Sequence, residues 1–286
     1  MSQDFHTPVL LQETIDALGV KPRKKYIDAT LGGGGHTFEI LKSGGEVLGI
    51  DADSDAIEHV REKSQRSKVK GQKLLLVQGN FRDVGEIAKA KGFGKVAGIL
   101  FDLGVSLHQL KTGERGFSFQ KDGPLDMRMS KEGATAADLV NGLYENELIY
   151  VFEKYGEETM ARSIARAISL AREVKKIETT GELARIIEGV KPRHGKINPA
   201  TQVFQALRIA VNDEMHSLEE ALPLAVELLE DGGRLVVISF HSLEDRIVKN
   251  FFKGHEAEKG PIQASSEELE RNPRARSAKM RVYAKN

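Results

Sequence analysis

Tyr26-Ile27-Asp28-Ala29-Thr30-Leu31-Gly32-Gly33-Gly34-Gly35-His36 reads as a short apolar strand that ends in an acid, opens into four glycines and enters a helix. Successive glycines let a backbone approach a ligand closely and adopt positive φ. The helix behind them offers free N–H groups at its N-terminus. A loop of this kind binds the pyrophosphate of a dinucleotide or the methionine part of S-adenosylmethionine. The dinucleotide fingerprint asks for Gly-x-Gly-x-x-Gly. Counted from Gly32 and Gly34, its third position falls on Thr37, so the fit is incomplete. Asp28, placed ahead of the glycines where it can face a charged cofactor end, suits a methyltransferase better. The bland alternative is a tight turn without a ligand, but four consecutive glycines are costly in chain entropy.

Working outward, strand-like and helix-like segments alternate. Thr7-Pro8 looks like a helix start, and Gly19 can stop that helix after Leu18. Strands are expected at 26–29, 47–51, 74–78 and 96–103, with helices at 36–41 and 54–66 between them. This alternation predicts βαβ units and a parallel sheet. Asp51 closes the second strand about 20 residues after the glycines begin, where an acid takes the ribose hydroxyls of a nucleoside cofactor. Asp53 and Asp55 beside it read as helix-start acids. The run Gly98-Ile99-Leu100-Phe101-Asp102-Leu103-Gly104-Val105-Ser106 is a third strand that ends in an acid and opens into a glycine-containing loop. Ligands of open α/β sheets sit beyond the carboxyl ends of the strands, so Asp28, Asp51 and Asp102 are expected on one rim. Phe81, after the third strand, can pack on an adenine ring or in the core.

The middle of the chain differs. No strand pattern is visible from about Ala134 to Val190, whereas 147–155, 158–172 and 180–190 carry helical spacing. The expected division is therefore a first sheet part at 1–111, a helical insertion at 112–195 that recognises substrate, and a second sheet part at 196–286. In that last part helices are expected at 198–209, 218–229 and 242–252, strands at 235–239 and 281–284, and a polar loop at 254–271.

Composition narrows the classes. The chain has 286 residues, 42 Lys+Arg against 42 Asp+Glu, and a net charge of zero. That excludes a histone-like polycation and an acidic disordered tail, but not local basic patches. With 40% apolar residues it can bury a sizeable core. The absence of cysteine excludes disulfides, Cys-ligated zinc, iron–sulfur clusters and thiol nucleophiles. No metal site is expected. Met1-Ser2-Gln3-Asp4-Phe5 lacks a basic patch followed by an apolar stretch, and no apolar run approaches bilayer length, so a cytoplasmic, non-membrane protein is expected.

Longer motifs carry a resemblance. Asp28-x-Thr30-x-Gly32-x-Gly34-Gly35-His36, Asp102-Leu103-Gly104-Val105-Ser106, Glu114-Arg115-Gly116-Phe117-Ser118-Phe119 and Asp122-Gly123-Pro124-Leu125-Asp126-Met127-Arg128-Met129 are among them. Phe204-Gln205-Ala206-Leu207-Arg208-Ile209, Ser239-Phe240-His241-Ser242-Leu243-Glu244-Asp245-Arg246 and Asn272-Pro273-Arg274-Ala275-Arg276-Ser277 continue the pattern. Together they resemble the ribosomal RNA small subunit methyltransferase H family, from His6 to the C-terminus. The resemblance implies an α/β fold, a class I (Rossmann-like) S-adenosylmethionine-dependent methyltransferase sheet with an inserted all-helical domain. It implies methylation of N4 of a cytosine in the decoding region of 16S rRNA, with the small ribosomal subunit as partner; a homodimer stays open. Carried over by motif, the S-adenosylmethionine-binding residues are Gly33, Gly34, Gly35, His36, Asp51, Phe81, Asp102 and Gln109. Two departures stand out. Leu107-His108 precedes Gln109 where the family has Ser before x-Gln, and Asn198 opens Asn198-Pro199-Ala200-Thr201 where the family has His.

An amino group conjugated with a cytosine ring is a poor nucleophile, so positioning must supply much of the catalysis. No general base stands out; the candidates are Asp102, Asn198 and Ser239. Phe117, Phe119, Phe240 and His241 are candidates to stack the base, though each also reads as packing. RNA needs positive charge. Basic clusters occur at Arg271, Arg274, Arg276, Lys279 and Arg281; at Lys191, Arg193, His194 and Lys196; and at Lys21, Arg23, Lys24 and Lys25. Two rival readings remain. One is a non-catalytic RNA-binding or assembly protein on the same fold, which the intact acids and glycines disfavour. The other is an NAD-dependent dehydrogenase, suggested by Tyr150 and Lys154. That pair lies in the helical stretch and reads as ordinary i,i+4 neighbours.

Overall fold

The computed structural model describes residues 8–66, 73–193, 198–253 and 260–286. Thr7, His194, Gly195, Lys196 and the first part of the expected polar loop lie outside the described residues. Two compact units emerge, one formed by Met1–Ser106 with Met215–Asn286 and the other by Leu107–Glu214.

The first unit begins α1 (Leu11–Leu18), β1 (Lys25–Asp28), α2 (Gly35–Lys42), β2 (Glu46–Asp51), α3 (Ser54–Arg66), β3 (Leu74–Gln78), α4 (Val84–Ala90) and β4 (Val96–Asp102). The second unit holds α5 (Leu107–Lys111), α6 (Ala136–Gly142), α7 (Glu145–Gly156), α8 (Ala161–Val174), α9 (Thr180–Val190) and α10 (Thr201–Asn212). The chain then returns through α11 (Glu214–Leu228), β5 (Leu229–Ser239), α12 (Ser242–Phe252), α13 (Ser266–Arg271) and β6 (Lys279–Ala284).

The strands form one sheet in the order β3-β2-β1-β4-β5-β6. All neighbours pair in parallel except β6, which runs antiparallel to β5. Near-continuous apolar runs make these strands suitable for burial on both faces. Tyr26, Val47, Leu100, Val236 and Ile238 pack on one face with Leu18, Phe38, Leu41 and Val60 of α1, α2 and α3. Ile27, Leu48, Ile50, Ile99, Phe101 and Val237 pack on the other with Val84, Leu222, Ala225 and Val248 of α4, α11 and α12. The doubly wound sheet and its antiparallel edge agree with the expected Rossmann-like class.

In the second unit no strand runs among the described residues; Pro124 and Thr179 form an isolated bridge. Two of its helices, α6 and α9, start on local caps. Thr135 and Thr179 each accept from the backbone three residues on, while Asp138 and Glu182 return the bond. The unit extends past the 112–195 expected for it and takes in α10. Gly156 ends α7 where a Cβ would stand 2.7 Å from the Gln202 carbonyl oxygen, so only glycine permits this approach. Gln202 Nε2 donates to the Gly156 and Glu157 carbonyls at 3.2 and 3.1 Å, and Gln205 Nε2 to that of Tyr155 at 3.2 Å. Side chains of α10 thus occupy carbonyls that the end of α7 leaves without intrahelical partners.

Two further differences concern the C-terminal part. Residues 266–271, expected in a polar loop, form α13, whose N-cap Ser265 Oγ accepts from Glu268 N at 3.2 Å. The Asp231-Gly232-Gly233 turn lies within β5, where pairing to β4 shifts register between Val96 and Gly98. Among the described residues no helix is long and apolar enough to cross a membrane.

Leu100 sits in the middle of β4 with 0% of its surface exposed. Leu100→Ala should therefore lower the free energy of unfolding by about 2–5 kcal/mol. Urea unfolding followed by circular dichroism checks this, and a change below about 1 kcal/mol would contradict the packing described.

Candidate functional site

Parallel pairing brings the ends of β1, β2 and β4 to one edge of the sheet. Asp28 lies opposite Gly49 and Leu100, Asp51 pairs with Gln78, and Asp102 pairs with Ile238. The strand order reverses between β1 and β4, which is where open α/β sheets form their ligand crevice. The glycine loop leaves β1 at this point. Gly34 has φ +73°, and a Cβ there would stand 2.8 Å from Val60 Cγ2. Gly33 directs its carbonyl to Lys63 Nζ at 3.3 Å, and Gly35 lies under the Pro8 ring.

Each carboxyl has its own neighbours. Asp28 is buried; its Oδ2 accepts from Thr37 Oγ1 at 2.7 Å. Asp51 Oδ2 accepts from Gly32 N at 2.7 Å and Oδ1 from Asp53 N at 2.8 Å. Asp102 has its backbone N donated to Thr30 Oγ1 at 2.6 Å, and its Oδ2 lies 3.7 Å from His36 Nδ1. Its Oδ1 is buried without a hydrogen-bond partner. Such an acceptor is costly to leave alone and marks a place for a ligand.

Burial, with little positive charge nearby, disfavours ionisation here. It pushes Asp28 up to about 6 and Asp51 up to about 7. Asp102 is held well above the ordinary carboxylate range, first by burial and then by Asp28, with Arg274 opposing and Glu244 adding to the rise. His36 is brought down to about 4 by burial, while its Nε2 lies 3.1 Å from the Val9 carbonyl oxygen. Three carboxyls held near neutral around one loop would ionise more readily beside a cation, which offsets their mutual repulsion and burial.

Other expected site residues fall in varied surroundings. Phe81 packs edge-on against Phe101, ring centres 5.7 Å apart, and leans on the core. Gln109 is buried within the helical unit. Asn198 belongs to the same unit, where Nδ2 donates to Glu188 Oε1 at 2.9 Å and Oδ1 accepts from Ala200 N at 2.8 Å. Ser239 Oγ donates to the Lys279 carbonyl at 3.2 Å. Phe119 packs edge-on against Phe204 at 4.9 Å, and Phe117 is buried near Arg115. Phe240 leans on the core beside Gly104, and His241 caps α12 with Glu244. Tyr150 and Lys154 meet on α7, Nζ donating to the hydroxyl at 2.7 Å, while Tyr150 is 55% exposed.

The basic clusters are less free than their sequence suggests. Lys279 and Arg281 both reach Asp245, at 3.3 and 2.7 Å. Lys191 pairs with buried Glu158 at 2.6 Å, and Lys24 with Glu230 at 2.7 Å. Arg274 is half-buried and donates from Nη2 to the Val105 carbonyl at 2.8 Å. It was expected on an RNA-facing surface; instead its side chain reaches the loop after β4 and acts on Asp102. Arg271 and Arg276 beside it are exposed. Thr30, Thr37 and Glu244 also belong to this neighbourhood. Thr30 and Thr37 flank the glycines, a signal that was available; Glu244 and Arg274 lie far along the chain and had none of comparable strength.

Comparison with known proteins identifies the family. The MraW methylase family profile matches residues 3–286. A protein of Deinococcus radiodurans named ribosomal RNA small subunit methyltransferase H is 50% identical over 282 residues, covering 97% of this chain and 88% of that one. Its namesake from Dehalococcoides mccartyi is 50% identical over 304 residues, covering 97% and 85%. A third, from Deinococcus deserti, is 48% identical over 283 residues, covering 97% and 92%. A chain matched over nearly its whole length, with its strand-end acids and glycine loop gathered at the sheet's switch point, belongs to the MraW methylase family.

Proposed function

We propose that the protein methylates the N4 amine of a cytosine in the decoding region of 16S rRNA, and that S-adenosylmethionine is the donor. The observation that carries the donor reading is the buried, partnerless Oδ1 of Asp102 beside the glycine loop. The substrate reading is supported by the long motifs and by relatives named ribosomal RNA small subunit methyltransferase H.

The residues present fit the donor. An ionised carboxylate offers about four acceptor sites. Asp51 uses two on Gly32 N and Asp53 N, which leaves one on each oxygen for a pair of vicinal ribose hydroxyls. Asp102 and Asp28 face the cationic methionine end. The turn at Gly34 lets the chain pass close to the ligand without a side chain in the way. The donor supplies an electrophilic methyl on a sulfonium; the chain's task is to hold the acceptor amine in line with it and keep water out. Of the three candidate catalytic residues, Asp102 alone keeps an uncommitted oxygen, since Ser239 and Asn198 are engaged. The helical unit Leu107–Glu214 selects the RNA, and the exposed arginines Arg271 and Arg276 add charge for the phosphates. A target base leaves its stack to reach such a pocket.

The deciding assay incubates the protein and labelled donor with small subunits that lack the modification, followed by digestion to nucleosides. Label in N4-methylcytidine is expected; label on ribose, on C5 or on protein would overturn the reading.

Asp51→Ala should weaken S-adenosylmethionine binding by about 1–3 kcal/mol. Unchanged affinity in titration calorimetry would remove the ribose role.

The raised carboxyls also set a pH dependence. A cationic donor favours their ionised forms, so binding should release protons and tighten as pH rises through about 6 to 7. His36, already neutral there, adds no opposing change above about 4. Calorimetry in buffers of different ionisation enthalpy measures the release directly. The demethylated product carries one positive charge fewer and should release fewer protons.

A further inference from the structure

Arg274 lies 172 positions beyond Asp102 in the chain, yet its charge acts on that carboxyl. Its Nη2 donates to the carbonyl of Val105, two residues after the turn at Leu103. The loop needs such a hold. Leu103 N still donates to Ile238 O at 3.0 Å, but Gly104 then swings to φ +92° and leaves the sheet. The arginine is itself firmly placed. Ala275 and Ala278, which follow it, are buried in the core, and Ala275 N donates to Asn272 O at 3.0 Å. Upstream, Glu268 Oε1 accepts from Leu10 N at 2.9 Å, beside Val9, whose carbonyl oxygen lies 3.1 Å from His36 Nε2.

We infer that Arg274 is a positioning residue of the donor site. Its guanidinium fixes the loop after β4 through the Val105 carbonyl and supplies the positive charge that lets Asp102 ionise against a cationic donor. This rests on S-adenosylmethionine being the donor held here. The groups acting on Asp102 are His36 from α2, Asp28 from β1, Glu244 from α12 and Arg274 from the turn Pro273–Ser277. Arg274 is the cation in that set, because His36 is neutral near pH 7. Two acids and burial push the Asp102 proton on; one arginine opposes them. An arginine suits the place because its planar fork can hold a carbonyl with one N–H while its delocalised charge still acts on Asp102.

The test compares wild type, Arg274→Met and Arg274→Lys in the full chain. S-Adenosylmethionine and S-adenosylhomocysteine are titrated by calorimetry from about pH 5.5 to 8.5, alongside thermal melts. Wild type should bind the cationic donor more tightly as pH rises, with a weaker trend for the neutral thioether product. Arg274→Met should move the donor's acid limb to higher pH, costing about tenfold in affinity on that limb for each unit of displacement. Arg274→Lys should bring the limb back toward wild type, because the charge returns even though the fork is lost. A limb that stays in place in Arg274→Met, whatever happens to its melting temperature, overturns the inference. So does a limb displaced equally in the Lys variant. If wild type binds neither ligand, the donor reading itself fails, an outcome distinct from either of these.

Discussion

The parallel pairing of β1 with both β2 and β4 is the constraint on which the rest depends. β1 is short, only Lys25–Asp28, and it lies at the point where the strand order reverses. Its register with β2 and β4 brings three strand-end acids to one edge. Ile27 and Tyr26 point to opposite faces, so this short strand contributes to both cores. A slip of one residue would exchange those faces and turn Asp28 away from Thr37. The site is therefore a consequence of strand register before it is a matter of loops.

Gathering carboxyls in a buried crevice opposes their ionisation, and the surrounding contacts answer that unequally. Asp28 and Asp51 each accept hydrogen bonds that favour the charged form. Asp102 keeps one oxygen without any partner. Natural interiors satisfy most buried polar atoms, and exceptions concentrate where a ligand completes them. The acid with the unpartnered oxygen is also one whose charge burial disfavours, and it is the one on which an arginine contributed by the C-terminal segment acts.

That segment ties the architecture together inside the first unit. β6 closes the sheet edge against β5, and α13 supplies Glu268 to the backbone of Leu10. Arg281 and Lys279 are drawn to Asp245 rather than left as a free basic strip. A run of basic residues is ordinarily solvated surface. Here pairing and partial burial reassign three of its five members.

Local signals in the chain determined the alternation of strands and helices, the glycine loop and the acids at the ends of β1, β2 and β4. They determined α9, because 180–190 carries helical apolar spacing, and the structure adds the Thr179–Glu182 cap at its start. At Ser265 only the N-cap side chain accepts, from Glu268 N, and it lies in a polar stretch without apolar periodicity, so α13 read as loop. Only tertiary structure decided that α10 joins the helical unit, since that rests on Gly156 admitting Gln202 from 46 positions away. Only tertiary structure decided the surroundings of Ser239, Asn198 and Arg274, because each is defined by a partner distant in sequence or hidden in a neighbouring element. Periodicity, caps and turn residues act over a few positions and can be read along the chain. Burial of a charge and the choice of its partner are properties of the folded neighbourhood, and no run of residues encodes them alone.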